Sequence, residues 1–226
     1  MSSTPRARGF IVLPVATAKR PRLSHGERTR MEILDVAEGL ATREGLASLS
    51  IARLADEVGM SKGGVFSHFG SKEALQLATI ATARERFTRE VSEPALREPA
   101  GLARLRTALE LYFAYVGRRL EVGGCFFTAT TLEMADRPGA VRDEVSAFLS
   151  ARQALIVQSL RDAMRRNEIK DVDPDQLSFE LVAIATGAMV ELQMFKSPKT
   201  LQRVRTAIEQ RLAELQVRKP KSRARP

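Results

Sequence analysis

The sequence predicts an all-α protein. No segment alternates apolar and polar residues as a half-buried strand does. Apolar residues instead recur at three- and four-residue spacing along most of the chain. The breaks between these stretches carry helix punctuation, with serine or aspartate before a stretch and glycine or proline after it. About nine helices are expected in the 226 residues.

Residues 1–25 have no period and contain prolines, so they read as a flexible arm. The first helix is expected over residues 28–43, with Ile33, Leu34, Ala37, Leu40 and Ala41 on one face. Residues 50–75, SIARLADEVGMSKGGVFSHFGSKEAL, then read as a short helix, a tight turn, a second short helix and the capped start of a third. Gly59 supplies the backbone freedom that a sharp helix-to-helix turn needs. Ser50 and Ser61 are the expected N-caps. Ile51, Leu54, Ala55 and Val58 share one face of the first short helix. Val65, Phe66 and Phe69 give the second its apolar face, opposite Ser61, Lys62, Gly63, Gly64, Ser67 and His68. A helix buried on one side and slim, polar and weakly basic on the other fits a DNA major groove. The next helix starts at Ser71 and runs through Phe87, with Pro94 and Pro99 breaking the chain after it.

Beyond residue 100 the period continues. A helix over residues 101–120 carries Leu105, Leu109, Tyr112, Phe113 and Val116 on its apolar side and ends at Gly123-Gly124. A short helix follows in CFFTATTLEMA, then a long one over residues 140–167. Asp173-Pro174 opens the next, with aspartate as cap and proline in the first helical position. Pro198 opens the last, whose stripe is Leu201, Val204, Ile208, Leu212 and Leu215. Between Leu181 and Met194 the penultimate helix is apolar nearly all round. It is either buried within one chain or covered by helices of a second copy. The expected divisions are an arm (1–25), a helix-turn-helix domain (26–90), a helical ligand-binding and dimerisation domain (100–217) and a basic tail (218–226).

Net charge is +9, and the excess lies at the ends. Residues 1–30 have seven Lys/Arg against one acid, and residues 216–226 have five bases and no acid. Residues 31–90 have seven bases and nine acids, and residues 91–215 balance at seventeen each. Basic arms add non-specific attraction to phosphates, or serve only as solubilising tails. One cysteine, Cys125, precludes an intrachain disulfide and agrees with a reducing compartment. Its place at an expected helix N-terminus leaves open a sensing thiol beside the plainer reading of a core residue. Residues 6–18 outline a signal peptide, but Pro14 breaks the apolar run and bases follow at once, so a cytoplasmic protein is expected. Elsewhere the most apolar run, residues 181–190, is too short to cross a membrane and contains Gly187.

The helix-turn-helix residues carry a family resemblance. Thr29-Arg30-Met31-Glu32-Ile33-Leu34-Asp35-Val36-Ala37 is similar to the first-helix pattern of the TetR family of transcriptional regulators, and Gly45 stands where that family places a loop glycine. Ser61-Lys62-Gly63, Phe66-Ser67-His68-Phe69 and Ser71-Lys72-Glu73-Ala74-Leu75 match its signature in order and spacing. The resemblance covers residues 28–87; beyond them it extends only to length and helical pattern. It implies a ligand-responsive, sequence-specific DNA-binding regulator, expected to be a repressor. It also implies a homodimer, formed through the last two helices, on a palindromic operator in double-stranded DNA.

On that reading Arg30, Ser50, Ser61, Lys62, Gly64, Phe66, Ser67, His68 and Lys72 form the DNA-binding set. Two of them depart from the family pattern. Phe66 replaces a common tyrosine and cannot bond a phosphate, and Gly64 stands where a longer side chain often reads a base. The expected ligand pocket draws Tyr112, Phe113 and Val116 from one helix and Phe126, Phe127, Thr130 and Met134 from the next. Phe148, Met189 and Gln193 complete it. Apolar walls with few polar groups suit a small apolar or aromatic effector. Glu133 and Arg152 are polar residues near those positions, read either as ligand-orienting groups or as surface ion-pair partners.

Other functions fit less well. His25 and His68 are the only histidines, and no phosphate-cradling loop or His/Cys metal cluster occurs, so neither an enzyme nor a cofactor is expected. A helical dimer that keeps the motif but lacks specific DNA binding is the alternative, because Gly64 and Phe66 remove potential contacts. Deleting residues 1–25 is expected to weaken DNA binding and flatten its salt dependence, by about 0.9 in log–log slope for each phosphate no longer neutralised. A titration of affinity against salt checks this, and an unchanged slope would overturn it.

Overall fold

The computed structural model describes residues 24–197 and 199–217, and among these it is helical without a β-strand. The basic arm up to residue 23, the tail from residue 218 and Pro198 lie outside the described residues.

The N-terminal helices are α1 (His25–Glu44), α2 (Ile51–Val58), α3 (Lys62–Phe69) and α4 (Lys72–Phe87). Helix α1 starts earlier than periodicity predicts, and His25 belongs to it rather than to the arm. The reason is a capping box: Ser24 Oγ accepts from the Glu27 N–H, and the Glu27 carboxylate accepts from the Ser24 N–H at 2.7 Å. Ser50, Ser61 and Ser71 cap α2, α3 and α4 with their hydroxyls, each accepting from the backbone N–H three residues on. Gly59 ends α2 in the left-handed conformation (φ 68°), which turns the chain into α3. Ile33, Leu34, Ala37, Leu40, Ala41, Leu54, Val65 and Phe69 are all buried in one core.

Helix α4 does not stop before Pro94. Residues Thr88–Ser92 form a π-helical turn and Glu93–Leu96 one further helical turn. The Glu93 N–H donates to the Thr88 carbonyl five residues back. A proline ring ordinarily clashes with the carbonyl four residues before it, and a widened turn at that point relieves the clash. The expected break at Pro94 is therefore a continuation, and the chain turns only near Pro99.

The remaining helices are α5 (Leu102–Arg118), α6 (Phe126–Met134), α7 (Ala140–Arg165), α8 (Pro174–Phe195) and α9 (Lys199–Leu215). Nine α-helices are thus described, counting the π turn and its successor as part of α4. Asp173 caps α8 through Oδ1, which accepts from the N–H groups of Asp175 and Gln176. Helix α8 has 22 residues, long and apolar enough by length and composition to cross a bilayer, contrary to the reading of its core run alone. It carries Asp175, Glu180 and Glu191 and packs on α7 and α9. Its outer face is left uncovered by the described residues, with Phe179, Val190, Met194 and Phe195 exposed.

The two halves of the chain meet around a buried carboxylate. Glu38 of α1 is 0% exposed and accepts from Arg86 Nε of α4 at 3.0 Å and from Arg119 Nη2 just after α5 at 2.5 Å. Arg86 also reaches Asp35. The Arg119 guanidinium lies 5.3 Å from the centroid of the Tyr115 ring, which meets Phe87 edge-on. Burial raises the Tyr115 phenol well above its ordinary pKa. Two cations on one desolvated anion satisfy it, and removing the anion leaves both uncompensated. Glu38→Ala is expected to cost about 3–5 kcal/mol, which for a chain of this size lowers the melting temperature by roughly 6–20 °C. Thermal denaturation checks this, and a variant melting with the parent would contradict it.

Candidate DNA interface and the cleft behind it

Helix α3 is held by its two buried residues, Val65 and Phe69, and offers the rest to solvent. Lys62, Gly63, Phe66 and Ser67 are exposed, and Gly64 and His68 are half-buried. Phe66 is 53% exposed, which corrects its expected place on the apolar face. One residue of α-helix turns the chain by about 100°, which carries Phe66 off the side that Val65 and Phe69 bury. An exposed phenyl ring there presents an apolar contact surface for a thymine methyl group. A Cβ at Gly63 would meet nothing within 4 Å, so the helix start is open backbone.

The polar members of the expected set are partly engaged within the chain. Ser61 is the α3 cap, Ser50 the α2 cap, and Ser67 Oγ donates to the Gly64 carbonyl at 2.7 Å. The Arg30 guanidinium lies 4.9 Å from the Phe69 ring centroid, and His68 tilts against the same ring at 6.2 Å. Lys72 Nζ donates to the Ala47 carbonyl in the loop before α2. Lys62 has no ion-pair partner among the described residues. The nine expected positions thus gather along α3 and the starts of α1, α2 and α4.

The loop after α1 is gripped from two sides, which periodicity could not reveal. Glu133 of α6 accepts from the N–H groups of Leu46 at 2.6 Å and Ala47 at 2.8 Å. From α4, Gln76 Nε2 donates to the Leu46 carbonyl at 2.7 Å. Gly45 has φ 93°, and a Cβ there would stand 2.8 Å from Glu133 Oε1. The glycine is required by its backbone conformation and by the carboxylate's approach. Among the described residues Glu133 makes no ion pair and instead bonds the two halves together.

The expected pocket lining separates into core and cleft. Phe113, Val116, Phe126, Phe127, Thr130, Met134, Phe148 and Met189 are buried side chains of the core. Helix α6 lies between α1 and α7, and the Phe127 ring stacks on Phe148, so these aromatics fill space rather than enclose it. Gln193 donates to the Gly123 carbonyl at 3.0 Å and borders an outer groove with Glu133. Cys125 is 2% exposed. Only Tyr112 of the expected set borders the apolar cleft between α4, α5, α7 and α8. The enclosed part of this cleft is small, about 60 Å³. Val91 and Ser92 of the π turn form one wall, and Arg152 of α7 stands in another. Burial, with the neighbouring Cys125 adding to it, holds the Tyr112 phenol well above its ordinary pKa.

Known proteins share this arrangement. The family profile described as "Bacterial regulatory proteins, tetR family" matches residues 33–79, and "Tetracyclin repressor-like, C-terminal domain" matches residues 101–208. The HTH-type transcriptional repressor Rv1474c of Mycobacterium tuberculosis is 26% identical over 196 residues, covering 84% of this chain and 96% of its own. A TetR transcriptional regulator from Chloroflexus aurantiacus superposes with a TM-score of 0.76 at 25% identity, over 84% of this chain and 97% of that one. AibR, solved in complex with isovaleryl coenzyme A and operator DNA, superposes with a TM-score of 0.65 at 20% identity, over 82% and 97%. With both halves matched and the helix-turn-helix in place, the chain belongs to the TetR family of DNA-binding transcriptional regulators.

Proposed function

We propose that the chain is a homodimeric repressor, working in the cytoplasm, that leaves a palindromic operator when a small, mostly apolar effector enters the cleft. The observation that carries the DNA half of this reading is the open face of α3. Its start combines Lys62 with bare backbone at Gly63, and Phe66 projects beside them. In this reading Lys62 contacts base or phosphate, Phe66 an apolar base or sugar surface, and Ser61, Ser67, His68, Arg30, Ser50 and Lys72 the flanking backbone. Gly64 leaves room for the Ser61 cap and Met60, which a side chain there would crowd. Repression is supported by the likeness to Rv1474c, a transcriptional repressor.

Dimerisation is supported by the outer face of α8. Phe179, Ala183, Gly187, Val190 and Met194 recur at helical spacing and are exposed, with Val190 at 54% and Met194 at 71%. A stripe of large apolar and small residues suits close packing against the same stripe of a second copy. A two-fold dimer also doubles the short site that one α3 can read. Effector control is supported by the cleft's place against the π turn that continues α4. An effector that prefers one position of that turn would shift the population of dimers whose α3 spacing matches the operator.

Selection of genomic fragments at physiological salt, followed by footprinting, tests the whole reading. A protected palindrome with half-sites about one helical turn apart is the expected result. Weak binding without sequence preference would favour the alternative of a helical dimer lacking specific DNA recognition. Lys62→Ala should weaken operator binding by about 1–3 kcal/mol per half-site, measured by titration of the footprinted fragment. The double substitution Val190→Glu, Met194→Glu should give a monomer by sedimentation and abolish the footprint; a dimer that persists would place the interface elsewhere.

A further inference from the structure

We propose that the cleft between α4, α5, α7 and α8 binds an organic monocarboxylate with an apolar body, its headgroup held by Arg152. The inference rests on the effector-binding reading and specifies the chemistry of that site.

Arg152 is the reason. In the C-terminal half, the half-buried arginines Arg106, Arg119, Arg205 and Arg211 each bind a glutamate, and Arg104 reaches the Glu98 carbonyl. Arg152 is also half-buried and lines the cleft, yet among the described residues it has no oxygen partner. Its nitrogens are not among the buried atoms left without a partner, so the side chain keeps access to solvent at the border of an apolar cleft, where an anion gains more from a cation than at an open surface. The guanidinium is planar and presents paired N–H groups that match a carboxylate's two oxygens.

The surroundings limit what else could bind. Leu105, Leu109, Ile156 and Val182 make the walls apolar, which selects a hydrocarbon or aromatic body. The other polar residues that line the cleft carry hydroxyls: Tyr112, Ser92 and Thr186. They can complete the hydrogen bonding of one carboxylate. A single cation does not match a dianionic phosphate ester, whose second charge would remain unpaired. The π turn bears on the same point, because it carries Ser92 and Val91 in the cleft wall. Such turns recur at functional sites.

Calorimetric titration of the full chain tests this, with octanoate and 3-phenylpropanoate as probes and octanol and 3-phenylpropanol as their neutral counterparts. Parent, Arg152→Gln and Arg152→Lys proteins are compared. Because Arg152 has no partner to lose among the described residues, the unliganded variants should melt with the parent. At least one carboxylate should bind the parent, and Arg152→Gln should weaken it by about ten-fold or more, with Arg152→Lys recovering part of that affinity. The alcohols should bind parent and Arg152→Gln alike. Ala108→Phe, which narrows the cleft, should weaken acid and alcohol together. If the alcohols bind as tightly as the acids, or Arg152→Gln leaves the acids unaffected, the carboxylate inference falls and the effector reading stands. If no probe binds the parent, the carboxylate inference falls, and the effector reading loses the support of this cleft.

Discussion

The orientation of the DNA-binding helices depends on one buried carboxylate. Glu38 of α1 receives a guanidinium from α4 and another from the end of α5, so three elements meet at one anion. Hydrophobic contact alone is non-directional and would tolerate sliding between these helices. A desolvated ion pair does not tolerate it, because any slip leaves charge unpaired in a medium that penalises it. The aromatic packing of Phe87 on Tyr115 and Phe148 then fills the space that the ion cluster defines.

A second set of bonds makes that orientation sensitive to α6. Glu133 holds two backbone N–H groups of the loop between α1 and α2, while Gln76 and Lys72 hold two of the same loop's carbonyls from α4. The loop thus lies between the helix that ends at the cleft and the helix that packs on the core aromatics. Movement of α4 relative to α6 would stretch one set of these bonds. The helix-turn-helix follows directly from that loop.

Much of the fold is legible in the sequence, and the rest is not for physical reasons. The caps at Ser50, Ser61, Ser71 and Asp173 are local chemistry, and local chemistry is written in consecutive residues. The start of α1 escapes periodicity although its signal is present, since Ser24 and Glu27 stand at capping-box spacing inside a stretch that lacks a period. Glu38 also leaves a trace, a carboxylate beside Ala37 in an otherwise apolar stripe. The cleft leaves none. Whether Phe127 or Leu109 borders empty space depends on how four helices cross, and periodicity says only which face of each is apolar. Pro94 misleads because a proline normally ends a helix, and the compensating π turn has no residue signature of its own.

That π turn has a geometric consequence. Two turns of α-helix take about seven residues, so an uninterrupted helix would carry the face of Phe87 on to position 94. The residue buried there is Ala95. The turn therefore acts as a phase shifter: it advances the register by one residue, about 100° of rotation, for everything beyond it and nothing before it. The half of the helix that supports α3 and the last turn at Glu93–Leu96 are thus indexed separately on one rod, with the cleft wall of Val91 and Ser92 at the junction. A gain or loss of one residue between positions 88 and 92 would rotate the Glu93–Leu96 turn about the helix axis and leave the half that supports α3 in its original setting.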